Sequence, residues 1–184
     1  RVQTGEELLT VFDGLTGKAI HTVWYNPNRG YGVGGKAEYA GWGDKSTIGN
    51  RGERYLACVA NFDGETKAPS AVMCRGYYTR SYLWAVDFDG KRLKTRWLHA
   101  SLSDSHWRLT DGEGVVVREA KNLKSTAYGQ GCHSIAVADV DDDGLDEITY
   151  GSAAIDHDGS LLYSTGLGHG DAQHLADLDP SRPG

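Results

Sequence analysis

Short β-type runs recur along this chain and meet at Asp-Gly pairs, at Asp13-Gly14, Asp63-Gly64, Asp89-Gly90 and Asp158-Gly159. Both residues tolerate the positive φ that tight strand-to-strand turns demand, so each pair predicts a hairpin rather than a long crossover. The runs read 8–12, 19–24, 54–62, 71–79, 82–88, 93–99, 133–140, 147–155, 161–165 and 174–178. No stretch sustains a helical period over the length a helix requires. The fold class expected is all-β.

A weak internal repeat narrows the architecture. An apolar–Asp–Gly–polar–apolar pattern returns in VFDGLTGKAI, AVDFDGKRLKTRW and AIDHDGSLLYS. Radial repetition of this kind builds β-propellers, whose blades of about four short strands each bury a face on the next. The chain then holds roughly two to three blades, too few to close a ring. Residues 1–184 are therefore expected to be part of one propeller domain truncated at both ends, with a β-sandwich as the structural alternative.

With 184 residues and a formal charge of −6, the chain can bury a substantial core and is not a general binder of nucleic acid or membrane surfaces. No apolar run reaches the ~20 residues of a spanning helix. The start carries no signal-peptide pattern, which in a piece of a longer protein says nothing about secretion. Cys58, Cys74 and Cys132 are odd in number and predict no closed disulfide framework. Cys58 and Cys74 sit in apolar runs as small core residues. Cys132 and His133 are neighbours on a strand and point to opposite faces, which argues against a catalytic pair. Two regions break the strand rhythm: the glycine-rich stretch 26–50 with Tyr31, Tyr39 and Trp42, and the polar, irregular stretch 100–131.

Residues 139–147, DVDDDGLDE, alternate carboxylates across a glycine turn. In an EF-hand-like loop, ligands come from positions 1, 3 and 5, a backbone carbonyl at 7 and carboxylates beyond, with glycine at 6. Here these fall on Asp139, Asp141, Asp143, Leu145 and Glu147, with Gly144 at the turn. The flanks read as strands, so the expectation is a Ca²⁺ staple on a hairpin rather than a helix–loop–helix sensor. Carboxylates packed this closely repel one another without a cation. Asp177 and Asp179 start a weaker copy. Between the two acidic turns, His169, Asp171 and His174 gather on the glycine-rich loop 166–174, and His133 opens the preceding strand.

The segments CRGYYTR (74–80), DVDDDGLDEI (139–148), YGSAAIDHDG (150–159), YSTGLGHGDA (163–172) and DLDPSRPG (177–184) resemble the rhamnogalacturonan lyases of polysaccharide lyase family 11. The likeness is strong over 53–90 and 131–184 and poor over 100–124. It implies an eight-bladed, calcium-loaded propeller. It also implies a secreted enzyme that cleaves the rhamnogalacturonan I backbone of pectin by β-elimination at galacturonate. Histidines matching His133 and His169 lie in the family's central cleft with a calcium ion and substrate. Because Ca²⁺ prefers oxygen, Asp171, with His174 nearby, and backbone carbonyls are expected to complete that site. Arg75 and Arg80 bracket Tyr77 and Tyr78; a guanidinium grips a carboxylate in bidentate fashion and tyrosines stack on pyranose faces, so all four are expected to bind substrate. No catalytic base is placed. A non-catalytic calcium-binding propeller for adhesion or carbohydrate binding is the alternative.

Overall fold

The computed structural model describes residues 6–28, 54–179 and 181–182; most of the stretch 26–50, including Tyr31, Tyr39 and Trp42, lies outside them. The described residues are all-β and fall into three antiparallel sheets. A hairpin pairs β1 (Leu8–Phe12) with β2 (Ala19–Trp24). A six-stranded meander then runs through β3 (Tyr55–Ala60), β4 (Ser70–Arg75), β5 (Ser81–Phe88), β6 (Leu93–Ser103), β7 (His106–Thr110) and β8 (Val116–Ala120). A four-stranded meander follows: β9 (Ala136–Ala138), β10 (Glu147–Tyr150), β11 (Ala153–Ile155) and β12 (Leu161–Ser164).

The Asp-Gly turns are built as their chemistry predicts. Asp89 Oδ1 accepts the backbone N–H groups of Lys91 and Arg92, and Gly90 takes φ +87 between β5 and β6. Asp13 holds Leu15 and Thr16 in the same way between β1 and β2. Side-chain oxygens here satisfy turn amides that no ladder reaches.

Three expectations are corrected. The run 147–155 is not one strand: Tyr150 pairs with Ala153 across a two-residue loop, and Gly151 supplies the positive φ of +65 that the loop needs. Residues 174–178 form no strand. The stretch 100–131 is far from irregular, because β6 continues through it and β7 and β8 extend the sheet. HWRLT in β7 does alternate buried and half-buried residues, whereas β8 is an exposed edge with almost no apolar face to signal it.

Each six-stranded face is covered differently. Val72, Cys74, Leu83, Ala85, Trp97 and Leu109 join Ile148, Tyr150, Ala153 and Ile155 of the four-stranded sheet in one core. Burying each large side chain of this kind contributes about 1.5–3 kcal/mol. On the other face, Ala71 and Met73 look toward Leu9 and Val11 of the β1–β2 hairpin across a recess of about 330 Å³. Gly159 shows how close the sheets come: a Cβ there would lie 2.6 Å from Leu109 and 2.7 Å from Trp97. Beside it His99, fully buried and stacked on Trp107, donates from Nδ1 to the Gly159 carbonyl at 2.8 Å. Its Nε2 accepts from Ser101 Oγ at 2.9 Å, so the ring is neutral, and burial pushes its pKa down to about 4. All three cysteines are free thiols, with Cys74 and Cys132 buried.

Candidate functional site

The strands carry two clusters of polar side chains at opposite ends. His133 precedes β9 and Asp139 follows it, so the histidines gather at one end of the four-stranded sheet and the acidic loop at the other.

At the histidine end, an isolated parallel bridge between Cys132 and Gly170 brings the segments of His133 and His169 side by side. Two glutamines hold the glycine-rich loop in place. Gln130 Oε1 accepts the Gly168 N–H at 2.9 Å, and Gln173 accepts from Gly151 N while donating to the Thr149 carbonyl. Neither residue was singled out by its motif, since each acts on backbone distant in sequence.

His169 donates from Nδ1 to the Gly131 carbonyl at 2.6 Å. That bond fixes the tautomer and leaves Nε2 a lone-pair donor, buried and without a hydrogen-bond partner. Asp171 Oδ1 lies 3.6 Å from His169 Nε2 and 3.9 Å from His133 Nε2. Ligating atoms of the three residues fall within 4.8 Å of one another. Tyr77 stacks on His169 with ring centroids 5.5 Å apart and planes 5° from parallel. Tyr78 contacts His169 at 4.3 Å and its hydroxyl meets His133 Nε2 at 2.9 Å. Gly131 is required by this packing, because a Cβ there would come within 2.1 Å of the Tyr77 Cβ. The structure therefore brings together Tyr77, Tyr78, His133, His169 and Asp171.

Other expected residues stand apart. Arg75 is 1% exposed: its guanidinium forms a two-pronged pair with Glu7 at 3.0 and 3.1 Å and donates to the Pro27 carbonyl at 2.6 Å. Tyr25 and Tyr55 flank it. Its charge is enclosed within the protein rather than presented to a sugar, because Glu7 reaches it from the hairpin side. Arg80 is half-buried just before β5. His174 is exposed and joins no ligand group among the described residues. Asp177 and Asp179 are exposed and accept local turn amides, Asp179 N and Ser181 N. They too join no ligand group among the described residues.

At the acidic end, Asp139 accepts the N–H groups of Asp143 and Gly144 at 3.1 and 2.8 Å, and Asp143 accepts that of Leu145 at 2.8 Å. Asp142 and Gly144 take positive φ of 62 and 87 to close the turn. Glu147 is fully buried; Val140 N donates to one oxygen, and the other has no hydrogen-bond partner and lies 3.9 Å from His157 Nδ1. Burial first, then the charges of Asp141, Asp143 and Asp156, push its pKa up to about 7. Ligand atoms of Asp139, Asp141 and Glu147 form one group, and those of Asp143, Glu147 and His157 a second. His157, which no ligand motif marks, also reaches the loop: its Nδ1 lies 3.3 Å from Asp143 and 2.7 Å from Asp156, which the β11–β12 turn brings opposite the loop. A cation held by these residues would satisfy the Glu147 oxygen and the crowded carboxylates together, and hard oxygens at this density fit Ca²⁺. Leu145 continues the loop, half-buried. Asp146 serves elsewhere: it accepts the backbone and side-chain amides of Asn61 at 2.6 and 3.0 Å, tying the loop to the six-stranded sheet.

A model for the C-terminal domain of rhamnogalacturonan lyase family 11 matches residues 1–184. The chain is 51% identical over 185 residues to rhamnogalacturonan exolyase YesX of Bacillus subtilis and 43% identical over 184 residues to rhamnogalacturonan endolyase YesW of the same organism. Both alignments cover 100% of this chain and 25% of the relative, so the chain spans about a quarter of their length. The solved structure of exotype lyase YesX superposes with a TM-score of 0.79 at 49% identity, covering all of this chain and 26% of that one. The Bacillus licheniformis rhamnogalacturonan lyase PL11 gives 0.78 at 48% identity, also over all of this chain and 26% of that structure. The all-β stack of sheets and the motif-bearing loops thus belong together: this chain is a member of rhamnogalacturonan lyase family 11.

Proposed function

We propose that the chain forms part of the calcium-binding β-propeller of a secreted rhamnogalacturonan lyase. That enzyme cleaves the rhamnogalacturonan I backbone of pectin by β-elimination at galacturonate. The observation that carries this reading is the convergence of His133, His169 and Asp171 with Tyr77 and Tyr78 at one end of the sheets, in a chain of this family. The four-stranded antiparallel sheet packed through a shared core on the six-stranded one supports a blade-on-blade reading, with the remainder of the propeller supplying the rest of the ring.

In β-elimination a base removes the C5 proton of galacturonate, the C–H electron pair forms the C4=C5 double bond, and the glycosidic oxygen leaves C4 and is protonated. Negative charge builds on the carboxylate as C5 loses its proton, so groups that hold that carboxylate lower the barrier. A calcium ion held by His133, His169 and Asp171 would supply positive charge there. His169 Nε2 is aimed by the Gly131 carbonyl, Asp171 contributes the carboxylate, and the tyrosine rings offer flat faces to pyranose. At the other end, the loop holding Asp139, Asp141, Asp143, Leu145 and Glu147 binds calcium as a staple. A non-catalytic adhesion module has no use for the histidine–tyrosine cluster.

The test is incubation of the full-length protein with rhamnogalacturonan I. Ultraviolet-absorbing unsaturated galacturonate should form, and should vanish with a chelator. Polysaccharide binding without that product would refute the lyase reading in favour of a binding propeller.

A further inference from the structure

The arginine expected to meet a uronate, Arg75, is enclosed by Glu7. A different arginine stands beside the histidine cluster. Arg54 immediately precedes β3, and its carbonyl accepts the Gly76 N–H at 2.8 Å, which anchors it where the Gly76–Tyr77–Tyr78 connection begins. Its guanidinium carbon lies 5.7 Å from the centroid of Tyr78. That ring packs on His169 and bonds His133.

Arg54 Nε is buried and lacks a hydrogen-bond partner. Buried donors are almost always satisfied, so an orphaned guanidinium N–H beside a ligand-lined site asks for an acceptor. The contrast with other arginines is informative. Arg96 is forked onto Asp63 and Arg118 donates from Nη1 to Asp158, whereas no ion pair joins Arg54 to a carboxylate among the described residues. The guanidinium carbon lies within cation–π range of the Tyr78 ring, which ties Arg54 to the aromatic side of the cluster.

We propose that Arg54 recognises the carboxylate of a uronate sugar at the histidine end, with Tyr78 as its platform. This rests on the reading of that end as a sugar-binding site. The planar fork of arginine matches a carboxylate and fixes its orientation, a task lysine performs only as a point charge. Arg54 is then a binding residue, and the metal-ligand trio next to it and the guanidinium share the anionic sugar between them.

The experiment measures binding by calorimetry in the full-length protein, with calcium present. The probe is galacturonosyl-rhamnose, which has no leaving group at C4, and its methyl ester. Wild type should prefer the acid. Arg54→Gln should weaken the acid about tenfold and leave the ester unchanged, the size expected for a charge-assisted hydrogen bond. Equal weakening of both probes, or of neither, overturns the proposal. Arg54→Lys keeps the charge and provides the same test should the glutamine variant not fold: its acid-over-ester preference must fall, and an unchanged preference overturns the proposal. Loss of the lyase reading would register separately, as absence of unsaturated product from wild type while Arg54-dependent binding persists.

Discussion

His169 donates its Nδ1 proton to the carbonyl of Gly131, 2.6 Å away, and so turns the bare Nε2 toward Asp171. A backbone carbonyl thereby chooses the tautomer of a candidate ligand. Because Gly131 also accommodates Tyr77, one backbone position controls both the chemistry and the packing of the cluster.

Replacing His169 with alanine removes the oriented donor while leaving the sheets intact. Metal affinity at this end should drop at least about tenfold, the lower range seen when even an outer-shell partner of a metal ligand is lost. Lyase activity of the full-length protein should fall with it. Metal analysis after dialysis against limiting Ca²⁺ checks the first, and the unsaturated-product assay the second. Unchanged metal content would remove His169 from the ligand set.

The acidic loop should behave as a staple. Chelation should lower the unfolding temperature, and calcium at about 100 times its Kd should restore about 2.7 kcal/mol. Asp139→Asn should shrink that gain. Asp146→Ala should instead destabilise by about 1–3 kcal/mol with or without calcium, because it strands the amides of Asn61 rather than a metal. Calorimetric scans with and without chelator separate the two roles, and a calcium-dependent effect of Asp146→Ala would contradict this assignment.

Arg75→Gln leaves Glu7 without its buried partner. Breaking such a pair by removing one member costs about 3–5 kcal/mol. Urea unfolding should show a loss on that order. Native stability combined with weakened sugar binding would mean that Arg75 faces ligand after all.

His99 makes stability depend on pH in a defined direction. An unfolded histidine titrates near 6.5, and burial lowers the folded value to about 4. Protons therefore bind the unfolded chain first, and the contribution of His99, complete above pH ~6.5, is lost as pH falls toward 4, up to about 3 kcal/mol. Carboxylates titrate in the same range, so the measurement is the difference between wild type and His99→Gln. The variant should show a shallower acid slope; identical slopes would rule His99 out as the cause.

Local chemistry explains what could be read before the fold was known. Asp-Gly turns close on Asp carboxylates that accept amides two and three residues on, and the 139–147 loop closes on its own amides. The hairpins, the self-closing acidic loop and the grouping of His169 with Asp171 were therefore legible in consecutive residues. The family resemblance added His133. β8 was illegible because an exposed edge strand needs no apolar face.

The sequence by itself determined an all-β chain, its turns and its candidate calcium loop, because each rests on bonds within a few residues. Only the tertiary structure decided which charges were already partnered. Arg75 and Glu7 are 68 residues apart, and Asn61 and Asp146 are 85 apart. Contacts at that range exist only once the sheets have stacked, and they partner Arg75 and Asp146 within the protein while leaving Arg54 near the histidine cluster and His157 beside the acidic loop. A side chain's chemistry is written in its sequence position, but its availability is set by whatever packing brings to its tip.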